Sequence, residues 1–119
     1  MSKRGDRELL NDIKESCKRI ELYIKNATYE NFLEDIKTQD AIVRNLEIIG
    51  EAAKNISGSL KEKYSKVLWK ELAGVRNRLI HQYFGVNYDI VWDIIRNEVP
   101  EVVSQIEKIL NKESGRNSG

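Results

Sequence analysis

The sequence predicts an all-α helical bundle of four long helices and one short one. Three observations carry that prediction. Apolar residues recur at steps of three and four along most of the chain, which places them on one face of a helix. No segment alternates apolar and polar residues with period two over a useful length, so no sheet is expected. The 119 residues are 40% hydrophobic and 33% charged, enough apolar material for one domain with a real core and too much for a disordered chain.

The first helix carries Leu10, Ile13, Cys17, Ile20 and Ile24, with Asp6 as its expected N-cap and Asn26 at its end. A short helix fits Tyr29 to Ile36, capped by Thr28, with Phe32, Leu33 and Ile36 on one face. Thr38 and Asp40 open the next long helix, whose stripe is Ile42, Leu46, Ile49, Ala53 and Ile56. Ser57-Gly58-Ser59 ends it, with Gly58 suited to a left-handed position. Leu60 to Lys66 reads as basic and irregular. A third long helix carries Leu68, Leu72, Val75 and Leu79. Asn87 is placed to cap a fourth, with Val91, Ile95, Val99, Val102, Ile106 and Ile109. Pro100 lies inside that last pattern and lacks a backbone donor, so a kink is expected there, or two helices meeting with Pro100 in a first turn. Residues 1–110 read as a single domain, and the polar residues 111–119 as a frayed or disordered tail.

Composition narrows the function. The formal net charge is +1, which argues against nonspecific DNA coating and leaves room for a local basic patch. No apolar run approaches the roughly 18 residues of a membrane span, and the first six residues do not open a signal peptide. Neither a membrane nor DNA is an expected partner, and the basic residues form no obvious recognition helix. A cytoplasmic location is expected, compatible with a single cysteine, Cys17, which allows no intrachain disulfide and reads as a packing residue. The single histidine, His81, rules out a multi-His metal site or a two-His acid–base pair within one chain. No metal site and no cofactor are expected.

The chemistry-bearing groups gather in Trp69 to Phe84. At about 100° per residue, Arg76 and Tyr83 lie nearly on one helical line, as do Asn77 and His81, whereas His81 is about 140° from Arg76. Pairing Arg76 with His81 therefore needs the helix end to distort, or a partner chain. Taken alone, these residues say that Arg, Asn, His and Tyr cluster where a phosphate can bind. A lone His near a helix C-terminus is also a common dipole partner, and Tyr83 can be an ordinary half-buried aromatic. Lys61, Lys63, Lys66, Lys70, Arg76 and Arg78 against Glu62 and Glu71 give 6 − 2 = +4 over residues 61–83. That stretch either guides a polyanion, with Lys66, Lys70 and Arg78 as the candidate contacts, or is a solvated face. Arg44, Glu47 and Glu51 share a helix face; the favoured reading is an intrahelical salt-bridge row, the other that they line the cleft and orient Arg76. Gly50 in mid-helix suggests close packing, here or across a dimer.

Arg76-Asn77-Arg78-Leu79-Ile80-His81-Gln82-Tyr83 resembles the Arg-x4-His-x-Tyr motif of HEPN domains, in the HepT branch paired with minimal nucleotidyltransferases. Trp69 to Gly74 is similar to that family's Trp-x-x-Ile-Ala-Gly segment, with Leu72 in place of the usual Ile. Glu47 to Lys54 resembles its Ile-Gly-Glu-Ala-Ala segment, and the helix around Trp92 and Pro100 matches in type and spacing. The resemblance runs from about Arg7 to Leu110. It implies a HEPN-type bundle and a metal-independent endoribonuclease, the toxin of a type VII-like toxin–antitoxin system. It also implies Arg76 and His81 as the catalytic pair, Asn77 as a support, and Tyr83 as the acceptor of AMP from a cognate minimal nucleotidyltransferase antitoxin; Glu51, if its face lines the cleft, is a further support. A homodimer supplies a second His81 to one cleft, which answers the single-histidine problem. The alternative is a non-catalytic helical dimer that serves as the binding subunit for that nucleotidyltransferase.

Overall fold

In a computed structural model, which describes residues 5–80 and 85–114, the chain is all-α. Helix α1 (Asp6–Tyr23) and helix α3 (Ile36–Asn55) pack along their apolar stripes, and the last helical region crosses α1. Ile13, Cys17 and Ile20 of α1 meet a core that includes Ile42, Leu46, Ile49 and Ala53 of α3, all at most 2% exposed. Burial holds the Cys17 thiol up at about 12, which suits a packing residue rather than a nucleophile.

Helix starts differ from the sequence reading where a neighbouring acceptor serves better. Gly5, not Asp6, is the N-cap of α1, and the Glu8 carboxylate accepts from the Gly5 amide at 3.0 Å. Asp6 instead accepts from the amide and hydroxyl of Ser57 at 2.9 and 2.6 Å, tying the far end of α3 to the start of α1. α1 ends at Tyr23, and Asn26 takes a left-handed φ of 65° in the following turn. Thr28 caps α2 (Tyr29–Glu34) as expected, but only Phe32 of the expected face is buried; Leu33 and Ile36 are exposed. The reason is that α2 stops at Glu34, and Asp35 starts α3 by accepting from the amide and hydroxyl of Thr38. Thr38 and Asp40 therefore lie inside α3. Buried Gln39 donates to the carbonyls of Phe32 and Leu33, which closes the end of α2.

Ser57 caps a further helix, α4 (Gly58–Lys63), so Gly58 opens a helix instead of taking a left-handed turn, and the segment expected to be irregular is largely helical. The expected third long helix is two short ones, α5 (Trp69–Ala73) and α6 (Val75–Leu79), broken at Gly74. Leu68 precedes α5 and is exposed, while Leu72, Val75 and Leu79 are buried. Asn87 caps α7 (Tyr88–Asp93) by accepting from the amides of Asp89 and Ile90. A π-helical turn, Ile94–Glu98, then leads into α8 (Val99–Glu113), with Pro100 in its first turn. The wider turn accommodates the proline ring, which would clash with a carbonyl four residues back and cannot donate. α8 continues through Glu113, past the expected limit of the folded domain, because Glu113 is held by the Lys63 ammonium at 2.8 Å and by the Tyr64 hydroxyl. Those hydrogen bonds from Lys63 and Tyr64 lower the Glu113 carboxyl below its ordinary range. Among the described residues, no helix is long and apolar enough to cross a membrane.

Gly50 sets where α5 and α6 lie. A Cβ there would meet Val75 Cγ1 at 3.0 Å and the Leu72 carbonyl oxygen at 3.1 Å. The close approach is thus within the chain and involves backbone, which cannot yield as a flexible side chain can. Gly50→Ala is expected to cost about 1–3 kcal/mol of unfolding free energy, overriding the roughly 1 kcal/mol that alanine gains by helix propensity. Urea unfolding checks this; a more stable variant would show that the contact is loose.

Candidate functional site

On α3, Arg44, Glu47 and Glu51 line an open groove of about 950 Å3, whose other walls include Asp12 of α1 and Ala73, Val75 and Arg76 of the α5–α6 region. Arg44 makes no ion pair with Glu47 or Glu51, so the intrahelical row is not what these residues form. Glu47 faces Arg76 across the groove, Oε2 to Nε at 3.5 Å, and the Glu51 carboxylate accepts from Asn55 Nδ2 at 3.3 Å. The groove-lining reading therefore describes α3 better. Spacing alone favours the intrahelical row, because an i to i+3 pair has the same pattern whether or not another helix competes for the carboxylate.

The Arg76 side chain is 69% exposed, approaches Glu47 no closer than 3.5 Å at Nε, and makes no side-chain hydrogen bond among the described residues. That leaves the guanidinium edge directed to whatever enters the groove, in a form suited to phosphate oxygens. Asn77 beside it is also exposed.

The helix carrying Arg76 ends at once. Ile80 is extended, with φ −96° and ψ 127°, and bridges Val86 in antiparallel fashion; the Asn87 amide donates to the Leu79 carbonyl at 2.7 Å. The helix end is thus distorted directly before the second half of the motif. It also removes the helical lines from Arg76 to Tyr83 and from Asn77 to His81, because the helical backbone stops before either second residue. His81 and Tyr83 themselves lie outside the described residues.

Three of the six basic residues in the stretch are answered by carboxylates from elsewhere. Lys63 pairs with Glu113, Arg76 with Glu47, and Arg78 with Glu98. Arg78 meets a carboxylate in the folded chain: its Nη1 and Nη2 donate to the two oxygens of Glu98 at 2.9 and 2.6 Å. The Glu98 hydrogen bonds raise the Arg78 guanidinium above its ordinary range, since they favour its charged form. Lys66 and Lys70 are exposed and without an ion pair among the described residues. Nothing local in the sequence marks Glu98, twenty residues beyond Arg78 and in another helix. Among the described residues, no three His, Cys, Asp or Glu side chains are grouped to hold a metal ion.

With this geometry in view, comparison with known proteins is informative. The profile of the family described as Ribonuclease HepT-like matches residues 13–109. The chain belongs to the HepT-like ribonuclease family. A Methanocaldococcus jannaschii protein provisionally named an RNase is 45% identical over 115 residues, covering 97% of this chain and 95% of that protein. One from Caldanaerobacter subterraneus subsp. tengcongensis, named in the same provisional way, is 48% identical over 107 residues, with 90% and 96% covered. A Thermococcus cleftensis protein named probable ribonuclease HepT is 40% identical over 107 residues, with 90% and 97% covered. No solved structure matches the chain at a significant level.

The Glu47–Arg76 pair is exposed on both sides, so it orients more than it stabilises. Glu47→Gln is expected to change unfolding free energy by less than about 1 kcal/mol. Chemical denaturation checks this, and a loss above about 2 kcal/mol would make the pair a structural tie instead.

Proposed function

We propose that this HepT-like ribonuclease cleaves RNA internally, without a metal ion, as the toxin of a type VII-like toxin–antitoxin pair. The observation that carries the reading is Arg76: a largely exposed guanidinium at the wall of a groove, loosely paired with Glu47 at 3.5 Å and without a side-chain hydrogen bond among the described residues. In this reaction the RNA 2′-oxygen attacks its own phosphorus, its proton passes to a base, and the bond from phosphorus to the 5′-oxygen breaks as that oxygen takes a proton. Arg76 stabilises the charge that builds on the phosphate. His81 transfers a proton, the role for which imidazole is suited near neutral pH. One imidazole does not serve readily as both base and acid, so the working unit is a homodimer that brings two copies of His81 and Arg76 to one cleft. Asn77 and Glu51 support the groove.

Regulation by a nucleotidyltransferase antitoxin follows from the same chemistry. Transfer of AMP from ATP to the Tyr83 hydroxyl, with release of pyrophosphate, places a phosphate in the motif that also contains Arg76. The added group competes with RNA for positive charge and for space.

Purified protein is expected to cut RNA in the presence of EDTA, and Arg76→Ala or His81→Ala to lower the rate by about 100-fold or more. No cleavage of any cellular RNA pool, together with no growth arrest on expression, would favour the non-catalytic binding subunit. Incubation with the partner nucleotidyltransferase and ATP is expected to add AMP at Tyr83, read by peptide mass spectrometry; modification confined to another residue refutes the assignment.

A further inference from the structure

Helix α6 presents a positional problem. It has five residues, too few to hold a helical conformation or an orientation unaided. Arg76 must nevertheless face the groove, and Ile80 must leave the helix at a set angle toward His81. Val75 and Leu79 anchor one side of α6 in the core. Apolar contacts are nondirectional, however, and allow a short helix to roll or slide.

The directional contact is Arg78 with Glu98. It has two parallel hydrogen bonds, 2.9 and 2.6 Å, and each side chain is 36% exposed. The pair covers a small void of about 10 Å3 bordered by Leu46, Ile49 and Val99, so it rests on the core and not on open solvent. A two-pronged contact fixes rotation as well as distance, which a lysine or a single hydrogen bond would not. Arg76 and Arg78 are two residues apart, about 200° around the helix, so locking one direction locks the other. Glu98 in turn is the last residue of the π-helical turn that precedes Pro100. The irregular turn thus ends on the carboxylate that faces α6. Asp93 and Glu71 also act on Arg78 through their charge, but Glu98 alone makes hydrogen bonds to it among the described residues.

We propose that Glu98 is a positioning residue for RNA cleavage: through its paired hydrogen bonds to Arg78 it sets the orientation of α6, and with it Arg76 on one side and the chain leading to His81 on the other. The inference rests on the ribonuclease reading above. It assigns to Arg78 a mechanical role within the motif in place of contact with RNA.

The test compares the wild type with Glu98→Gln, Arg78→Gln, Glu98→Asp and the exchange Arg78→Glu with Glu98→Arg. Each would be measured for cleavage at saturating RNA, for KM, and for the urea midpoint. Each single neutral variant is expected to lower kcat by about tenfold to a hundredfold, the scale of a misplacement near 1 Å, with KM changed less than about twofold. Glu98→Asp, which keeps the charge but shortens the reach, should fall between, and the exchange should recover most of the loss. Recovery by the exchange when the single variants fail to fold also supports the proposal. Wild-type cleavage by Glu98→Gln overturns it. So does a rise in KM seen only when Arg78 is changed, which would mean that Arg78 touches RNA. If the wild type cuts no RNA, the ribonuclease reading fails separately. The positioning claim is then read from hydrogen exchange of the Asn87 amide, which bonds to Leu79. Faster exchange in Glu98→Gln supports the claim, and unchanged exchange overturns it.

Discussion

Gly50 has no side chain, and the groove depends on that. Helix α3 is the element most of the others rest on: α1 lies along one side, α2 at its start, α5 and α6 along another. At Gly50 the carbonyls of Leu72 and Ala73 and the side chain of Val75 come within 3.0–3.6 Å of where a Cβ would stand. A larger residue would push the α5–α6 turn outward. Arg76 follows Val75 directly, so the same displacement would carry its guanidinium away from Glu47 and from the groove. A single hydrogen atom in place of a methyl group therefore links core packing to the geometry of the candidate site.

Two arginines two residues apart illustrate how electrostatics divides structural from chemical work. Arg78 is held at both Nη nitrogens over the core and acts as a fastening. Arg76 pairs loosely with Glu47 and makes no side-chain hydrogen bond among the described residues. A carboxylate that gripped Arg76 from both sides would compete with phosphate for the same hydrogen bonds; one at 3.5 Å to Nε restrains direction at small energetic cost. A functional cation near a folded core needs this asymmetry, because a fully satisfied guanidinium has no remaining bond to offer.

Much of the fold was legible in the sequence because helical periodicity and capping are local. The stripes of α1 and α3, the Thr28 and Asn87 caps and an irregularity near Pro100 all follow from residues within a few positions of one another. The errors have one cause as well. Asp6 reads as a cap until Ser57 competes for its carboxylate, and Gly58 reads as a helix end until Ser57 starts a new one. In both cases Ser57 is the competitor, 51 residues from Asp6 but directly beside Gly58. At the site, the Arg-x4-His-x-Tyr string and the Gly50 segment are readable as a resemblance, whereas the occupancy of Arg78 by Glu98 is not.

An all-α domain and its two principal apolar stripes follow from residue type and from spacings within a few turns of helix, and the motif's resemblance to a known family is carried by short strings of the same kind. Only the tertiary structure decided that the expected third helix breaks at Gly74, that α6 ends at Leu79 ahead of His81, and that Arg76 faces a groove while Arg78 is bound. Those outcomes depend on which distant carboxylates and backbone groups reach each side chain first, a competition that is settled by packing and has no local sequence signal.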